Sequence, residues 1–227
     1  MSVDRLRILS WNLYHGRAVP PAGRSLLEEF ASVLAAWEWD VAMLQEVPPW
    51  WVAPLADRAG AQHRRALTSR NWLPPVQRWL GDRFPDLLKS GGGGANALLV
   101  RGAISDHRRA LLRRWPERRV VHGVRLAGGI WVANLHATAH HPARAVADVE
   151  LARLAALAWA GDAPLVIGGD LNLRTPRLPG FVAVSASKVD HVLARGLEPA
   201  GPAEMPARGG LSDHAPVAVT LWPAARR

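Results

Sequence analysis

The sequence predicts an α/β fold in which two packed β-sheets are flanked by helices. Strand-like and helical segments alternate towards both ends of the chain, whereas residues 104–136 hold successive strand-like segments without a helix between them. The chain of 227 residues is long enough to bury a sizeable core, and no low-complexity linker divides its apolar segments. We therefore expect one domain over residues 1–227.

The first part of the chain predicts two strands with a helix between them. Residues 6–13 alternate loosely between apolar and polar side chains, which is typical of a strand. Residues 25–37 repeat apolar side chains at helical spacing, and Ser25 with Glu28 predicts a capping box at the start of the helix. Residues 40–47 form an apolar run that predicts a buried second strand.

The next part of the chain is less regular. We expect a short helix over residues 50–58 and a strand over residues 62–67, while residues 69–89 match neither pattern. Residues 91–94 are four consecutive glycines, which indicate a flexible loop or, alternatively, a mobile lip over a ligand.

Four strand-like segments follow the glycines. They are residues 95–101, 104–114, 119–126 and 130–136, of which the last two predict a β-hairpin around a Gly-containing turn. Residues 142–160 predict the longest helix, with a proline in its first turn and an apolar stripe. The stripe consists of Val146, Val149, Leu154 and Leu157.

Residues 164–176, with the sequence PLVIGGDLNLRTP, combine a strand with a polar loop. The apolar run over residues 165–167 predicts a buried strand that Gly168 and Gly169 end. Asp170 and Asn172 are two residues apart, so a strand would present both side chains on one face. This is the geometry of a site, and an ordinary Asx turn is the alternative.

Polar side chains also occur at other predicted strands: at the ends of strands already described, inside a strand-like run over residues 188–195, and immediately before the last strand in the segment 211–222. They are Asn12, Glu46, His136, Asp190, Asp213 and His214. Carboxylate and amide oxygens suit a hard divalent cation such as Mg²⁺, with Mn²⁺ or Ca²⁺ as alternatives. Without cysteine, thiolate metal sites and disulfides are excluded, and zinc is the weaker interpretation. Each residue alone also has a structural interpretation: a solvated strand end for Glu46 and a buried core histidine for His136.

The charge of the chain favours a polyanionic partner. The formal net charge is +9 and the sequence pI is about 11.4, which indicates nucleic acid or an anionic membrane as a partner, or else only an arginine-rich chain. Basic and aromatic side chains interleave at Arg64, Arg65, Arg70, Trp72 and Trp79. These could contact phosphates and stack on bases, although tryptophans of this kind are more often core residues.

Membrane insertion is not expected, because no run of about 18 apolar residues occurs. The sequence enters a strand-like segment at residue 6 and leaves no room for a signal peptide, so we expect a cytoplasmic protein. We expect a monomer, and the sequence predicts no particular protein partner.

Seven short motifs occur in an order that is specific as a set. They are SWNL at residues 10–13, LQEV at 44–47, NALL at 96–99, NLH at 134–136, GGDLN at 168–172, VDHVL at 189–193 and SDHAPV at 212–217. In this the chain resembles the endonuclease/exonuclease/phosphatase superfamily, which includes deoxyribonuclease I, exonuclease III-type enzymes, neutral sphingomyelinases and inositol polyphosphate 5-phosphatases. The resemblance implies a four-layer α/β/β/α sandwich of two packed mixed β-sheets.

The resemblance also implies a role for each residue at the strand ends. Glu46 is implied as the principal metal ligand, with Asn12 and Asp213 nearby. The implied catalytic residues are His214, which activates the attacking water; Asp190, which orients that histidine; Asp170 and Asn172, at the nucleophile and scissile phosphate; and His136, which stabilises developing charge. Asn96 and Arg174 are implied as substrate contacts. Members of the superfamily differ in which residue is the general base, the equivalent of Asp170 or that of His214.

These residues predict metal-dependent hydrolysis of a phosphoester by in-line attack of water, without a covalent enzyme intermediate. A nuclease acting on DNA or RNA is the leading hypothesis. A phosphatase or phosphodiesterase of a small or lipid phosphoester is the alternative, and a catalytically silent nucleic-acid-binding module is a third. Four departures from the family pattern limit the subclass. Ala137 replaces a common leucine, and Tyr14 is the only tyrosine, so the mid-chain tyrosine of exonuclease III-type enzymes has no counterpart. The chain also lacks the cysteines of secreted deoxyribonuclease I and an extended membrane-binding hairpin of the sphingomyelinase kind.

Overall fold

The computed structural model describes residues 5–68, 71–88 and 93–224. Twelve strands form two six-stranded sheets. The first sheet contains β1 (Leu6–Asn12), β2 (Val41–Val47), β3 (Gln62–Leu67), β4 (Ala95–Val100), β11 (Leu197–Pro199) and β12 (Val217–Pro223), in the order β11-β12-β1-β2-β4-β3. The second contains β5 (Ile104–Arg113), β6 (Arg119–Leu126), β7 (Trp131–His136), β8 (Leu165–Asp170), β9 (Val182–Ser187) and β10 (Asp190–Arg195), in the order β5-β6-β7-β8-β10-β9.

Both sheets are mixed, and helices cover their outer faces. Strands β1 and β2 are parallel, as are β7 and β8, whereas the other pairs in the two sheets are antiparallel. The helices are α1 (Leu27–Ala36), α2 (Val52–Arg58), α3 (Pro74–Arg83), α4 (Pro85–Leu88) and α5 (Pro142–Ala160). None of the helices that the structure describes is long and apolar enough to cross a membrane.

Three apolar clusters define four layers. Helices α1 and α2 pack on the first sheet through residues such as Phe30 and Leu55, and α5 packs on the second sheet through Ala152. The third cluster lies between the sheets and joins Ile8 of the first to Val166 of the second. Because side chains alternate along a strand, Leu9 faces α1 while Ile8 faces the other sheet. The predicted two-sheet sandwich flanked by helices is confirmed.

A cluster of amide hydrogen bonds ties the two sheets together next to the site. Asn134 on β7 donates from Nδ2 to the carbonyl oxygens of Leu44 and Ala97 at 2.9 and 2.8 Å. Its Oδ1 accepts a hydrogen bond of 2.8 Å from Nε2 of Gln45. Since Gln45 precedes Glu46 and Asn134 lies two residues before His136, this cluster fixes how the strand ends of the two sheets face each other.

The predicted end of β8 is wrong, because Gly168 and Gly169 lie inside the strand. A Cβ atom on Gly169 would lie 2.0 Å from the carbonyl oxygen of Leu135, and one on Gly168 would lie 2.4 Å from that of His191. Gly169 also has a φ of +128°. The two glycines let β8 approach its neighbours closely, so the strand continues to Asp170.

The capping box predicted for α1 is also wrong. The helix begins at Leu27, and its N-cap residue, Leu26, makes no side-chain capping hydrogen bond. Leu26 is buried in the core under α1, which sets the start of the helix by packing. Glu29, one residue beyond the predicted Glu28, pairs with Arg24 at 2.5 Å.

Helix α5 has its predicted bounds, but only half of the predicted apolar stripe packs in the core: Val149 is buried and Leu157 is partly buried. Val146 and Leu154 are more than half exposed, whereas the buried face consists mainly of small side chains. Those are Ala145, Asp148, Val149, Ala152, Ala156 and Ala160. Alanine lets the helix axis lie close to the sheet, and the larger side chains are therefore displaced to the exposed edge.

The region that matched no pattern forms α3 and α4, and it is apolar on its surface. Trp72 is 43% exposed and Trp79 is 64% exposed, so the interpretation of these two as core residues is wrong. Arg70 and the first two glycines of the run at 91–94 lie outside the described residues.

Candidate active site

The predicted site residues gather at one edge of the sandwich, across the boundary between the sheets. Asn12 ends β1 and Glu46 lies near the end of β2, both in the first sheet. His136 ends β7, Asp170 ends β8 and Asp190 begins β10, all in the second sheet. The cluster exists only when both sheets are in place.

His214 and Asp190 form the closest charged pair of the site. Nδ1 of His214 lies 2.8 Å from Oδ2 of Asp190, and since a carboxylate oxygen only accepts, Nδ1 donates. Burial alone would lower the pKa of His214, but the hydrogen bond to Asp190 and the charge of that carboxylate outweigh it and raise the pKa to about 9. Nε2 is left to face the site.

Asp170 lies at the centre of the cluster. Its Oδ2 accepts a hydrogen bond of 3.0 Å from Nδ2 of Asn12, and its Oδ1 accepts one of 3.0 Å from the backbone N–H of Asn172. The second hydrogen bond closes an Asx turn. The loop therefore forms the turn that was the alternative interpretation and also places Asp170 in the site. Oδ2 also lies 3.5 Å from Nε2 of His136 and 3.9 Å from Nε2 of His214. Burial and the nearby charge of Asp190 raise the pKa of Asp170 well above its usual range.

Ser212 positions two of these residues and was not predicted as a site residue. Its hydroxyl donates to the carbonyl oxygen of Asn12 at 2.7 Å and accepts from the backbone N–H of His214 at 3.0 Å. Ser212 is fully buried and has a φ of +60°. Its place beside Asp213 and His214 was the only signal in the sequence.

Glu46 reaches the site because β2 is irregular at that point. The register with β4 shifts between Leu44 and Val47, and Glu46 has a φ of +51°. Oε2 lies 3.1 Å from Nε2 of His15, and Oε1 lies 3.8 Å from Nδ1 of His136. Burial disfavours the charged carboxylate, but the hydrogen bond from His15 and the electrostatic interaction with that ring hold the pKa of Glu46 well below the usual range. Glu46 is therefore ionised.

His15 is a second residue that the sequence did not identify. It lies in the short 3-10 helix Tyr14–Gly16 that follows β1, and its Nδ1 lies 3.1 Å from the carbonyl oxygen of Gly93. The ring thus joins Glu46 to the loop before β4. The only sequence signal is its position three residues after Asn12.

His136 is buried and neutral. Burial, aided by the positive charge of Arg119, lowers the pKa of His136 to about 3. Nη1 of Arg119 donates to the carbonyl oxygen of His136 at 3.4 Å. A neutral imidazole still carries one N–H, so His136 can donate a hydrogen bond into the site.

A cavity of about 330 Å³ opens beside Glu46 and His136. Its walls include Arg17, Arg118 and Arg119. Two glutamates, Glu46 and Glu117, share this cavity with the three arginines, and Glu117 pairs with Arg119. Such a lining suits an anionic ligand that binds next to a cation.

The remaining predicted residues differ in their placement. The side chain of Asp213 is 42% exposed, and its Oδ1 lies 3.9 Å from Nε2 of His214, at the site. Asn172 lies at the turn after Asp170 and donates from Nδ2 to the carbonyl oxygen of Ala137. Asn96 is fully buried and donates to the carbonyl oxygen of Val120 at 3.1 Å, so its side chain does not reach the surface of the site. Arg174 is exposed on the loop after β8.

The donor atoms fit a hard divalent cation. Ligand atoms of Asp170, Asp190 and His214 lie within 4.8 Å of one another. Oδ1 of Asp190 is buried and has no hydrogen-bond partner within the described ranges. Glu46, Asn12 and Asp213, the ligands implied by the resemblance, add further oxygen donors beside this group. A site of carboxylate and amide oxygens is what Mg²⁺ or Mn²⁺ requires.

Comparisons with known proteins agree with this architecture. The sequence profile of the endonuclease/exonuclease/phosphatase family matches residues 9–214. A search of curated proteins found no significant sequence match. Solved structures with a similar fold include an endonuclease/exonuclease/phosphatase from Beutenbergia cavernae, with 18% identity, coverage of 97% of this chain and 72% of that one, and a TM-score of 0.67.

Two further structures cover almost the whole of both chains. Truncated TDP2 from Caenorhabditis elegans has 17% identity, coverage of 97% and 99%, and a TM-score of 0.69. An endonuclease/exonuclease/phosphatase from Bacteroides vulgatus has 14% identity, coverage of 97% and 99%, and a TM-score of 0.71. Identities this low show a similarity of fold only. The family assignment rests on the sequence profile, which spans nearly the whole chain. The chain belongs to the endonuclease/exonuclease/phosphatase family.

Proposed function

We propose that this chain is a Mg²⁺-dependent phosphodiesterase that hydrolyses nucleic acid by direct attack of water. The family name covers nucleases and phosphatases, which are all phosphoester hydrolases. The observation that carries the proposal is the His214–Asp190 pair, whose free Nε2 faces Oδ2 of Asp170 at 3.9 Å. A separation of that size leaves room for a water that contacts both groups.

The metal is assigned to the residues implied by the resemblance. Glu46 would hold it, with Asn12 and Asp213 as further ligands. When bound, the cation supplies positive charge to the non-bridging phosphate oxygens and to the attacking water. The ionised state of Glu46, which His15 maintains, suits this role.

Side chains of the protein accept the proton that the attacking water loses. As the water oxygen bonds to phosphorus and the ester bond to the leaving oxygen breaks, the water proton passes to Nε2 of His214. Asp190 accepts the hydrogen bond from Nδ1–H and stabilises the imidazolium that forms, which is why the pKa of His214 is raised. The species that accepts the proton is the fraction of His214 that is neutral at the working pH. Asp170, with its own raised pKa, is the alternative acceptor, and otherwise it orients the water. His136 can donate its N–H to the phosphate.

Charge supports nucleic acid as the substrate. The chain carries a formal net charge of +9, and Arg17, Arg118 and Arg119 line the cavity beside Glu46. Arginine binds phosphate through paired N–H donors, and a basic surface attracts a polyanion over a distance. A monomer with this one site suffices for the proposed reaction.

The test is hydrolysis of plasmid DNA, single-stranded DNA, RNA and a bis-aryl phosphodiester, each with Mg²⁺, Mn²⁺ or EDTA. We expect cleavage of nucleic acid with metal only and its loss in His214→Ala. His141→Ala, which removes an exposed histidine at the start of α5, is the matched control and should remain active. Cleavage of the aryl ester alone would refute the nucleic-acid substrate, and inactivity towards all four would refute the enzyme.

A lipid phosphodiester is the second candidate, because α3, α4 and the residues next to them expose several large apolar side chains. Leu73 is 65% exposed, Trp79 is 64% exposed and Leu87 is 81% exposed. Such surfaces in soluble proteins mark sites of interaction. Hydrolysis of a phosphodiester in anionic vesicles, faster than that of any nucleic acid, would favour this candidate.

A further inference from the structure

The loop between β5 and β6 presents a tryptophan to solvent. Trp115 is 83% exposed, more than any other large hydrophobic side chain in the part of the chain that the structure describes. It is flanked by Arg114 and Pro116, and the loop carries no apolar partner for it in sequence. An exposed indole ring offers a large flat apolar face that a ligand can cover.

Arginines surround this tryptophan. Residues 108–119 contain six arginines and one acidic residue, Glu117. Three of the arginines form ion pairs with acidic side chains: Arg108 with Asp106 at 2.9 Å, Arg113 with Asp148 at 3.1 Å, and Arg119 with Glu117. Arg114 and Arg118 are exposed on either side of Trp115. A basic loop with an exposed aromatic ring suits a phosphate backbone with an accessible base.

The loop also forms one wall of the cavity at the candidate active site. Glu117, Arg118 and Arg119 line that cavity together with Glu46 and His136. Trp115 is two residues from Glu117, and two residues span at most about 7 Å. The ring therefore lies within reach of a nucleotide next to the phosphate that is cleaved.

We propose that Trp115 stacks on an unpaired base adjacent to the scissile phosphate, while Arg114 and Arg118 bind neighbouring phosphates. This inference rests on the proposed function and makes it narrower: the preferred substrate is single-stranded at the site of cleavage. In a duplex the bases are already stacked and paired, so their faces are not available to the ring. A membrane surface is less suited to this loop, because one aromatic ring among charged side chains does not make the apolar face that lipid binding requires.

The test is binding of labelled oligonucleotides in EDTA, where no cleavage interferes. Fluorescence anisotropy would give the Kd for a short single strand and for the duplex of the same sequence. Since stacking contributes about 1–3 kcal/mol per base, Trp115→Ala should weaken single-strand binding by about 5-fold to 150-fold. Trp115→Phe should restore most of it, and the duplex Kd should change much less.

Trp222→Ala is the matched control, because Trp222 is 46% exposed at the end of β12 and makes no part of the site. It should leave both Kd values unchanged. An unchanged single-strand Kd in Trp115→Ala, or an equal loss for both oligonucleotides, would overturn the inference. So would weaker binding of Trp115→Ala to anionic vesicles with no effect on the single strand.

Failure of this inference is distinguishable from failure of the proposed function. The wild-type protein is assayed in parallel for Mg²⁺-dependent hydrolysis of the bis-aryl phosphodiester, which has no base to stack. If the wild-type protein does not hydrolyse this ester, the proposed phosphodiesterase function is refuted. The binding experiment in EDTA tests the role of Trp115 independently of that result.

Discussion

Nδ1 of His214 lies 2.8 Å from Oδ2 of Asp190, and the two residues belong to different sheets. His214 precedes β12 of the first sheet, whereas Asp190 begins β10 of the second. The hydrogen bond from Asn12 on β1 to Asp170 on β8 crosses the same boundary. The candidate active site is therefore a property of the sandwich, since neither sheet alone carries it.

Asp190→Asn should lower the pKa of His214 from about 9, because the carboxylate is the main group that raises it. In a metal-free sample, an NMR titration of the labelled imidazole would measure this shift. The same variant should lower the rate of hydrolysis by about 10²-fold to 10⁴-fold, as for loss of a general acid–base group. A pKa that stays near 9 would show that Asp190 does not hold the imidazolium.

Asn134→Ala should destabilise the fold strongly. It removes a side chain that bonds the carbonyl oxygens of Leu44 and Ala97 and the amide of Gln45, all of them buried between the sheets. Each group left unpaired costs about 1–3 kcal/mol, so we expect a loss of about 3 kcal/mol or more in the free energy of unfolding. Urea denaturation measures it. Gln62→Ala, an exposed amide on β3, is the control, and an equally small loss for both variants would contradict the account.

Gly169→Ala should disrupt the end of β8. The added methyl group would lie 2.0 Å from the carbonyl oxygen of Leu135, at a φ of +128°. The strand can accept it only by moving away from β7, which displaces Asp170. Gly102→Ala, where no atom lies within 4 Å of the added Cβ, should fold and melt normally. Equal melting temperatures for the two variants would refute this explanation of the glycine pair.

Stability should fall below pH 6.5 in part because of His122. The side chain is fully buried on β6, and burial, with the charge of His107, lowers the pKa of His122 to about 3. The unfolded chain binds a proton there near pH 6.5 while the folded chain does not. The stability present above that pH is therefore lost progressively as the pH falls to about 3, by at most about 1.4 kcal/mol per pH unit.

His122→Leu should reduce this dependence, as measured by urea denaturation at several pH values between 6.5 and 4. His141→Gln is the control, since the side chain of His141 is exposed at the start of α5. The same pH slope in His122→Leu and in the wild-type protein would contradict the assignment.

The sequence predicted the strand-end residues well because the signal is local. A polar residue directly after an apolar run, as at Asn12, Glu46 and Asp170, marks the edge of a sheet wherever the strand lies in the fold. The position of each strand in its sheet was not predicted, because periodicity along one strand carries no information about which strands are its neighbours.

What the sequence did not predict depends on contacts between distant segments. His15 reaches Glu46 only because β1 and β2 are adjacent, and Ser212 reaches Asn12 from 200 residues away. Gly168 and Gly169 were predicted to end the strand because glycine pairs usually mark turns. The reason they lie inside β8 is the close approach of β7 and β10, which is not visible in the local sequence. The buried alanines of α5 were not predicted, because a search for an apolar stripe gives most weight to large side chains. Close packing of the helix on the sheet instead requires small side chains at the contact.

The most direct test of the central claim is a double-mutant cycle on His214 and Asp190. The kcat/KM for Mg²⁺-dependent hydrolysis of the bis-aryl phosphodiester would be measured for the wild-type protein, His214→Ala, Asp190→Asn and the double variant. If the two residues act as one unit, the double variant should be no slower than His214→Ala. Losses that multiply would show that they act independently, and full activity in His214→Ala would exclude the pair from catalysis.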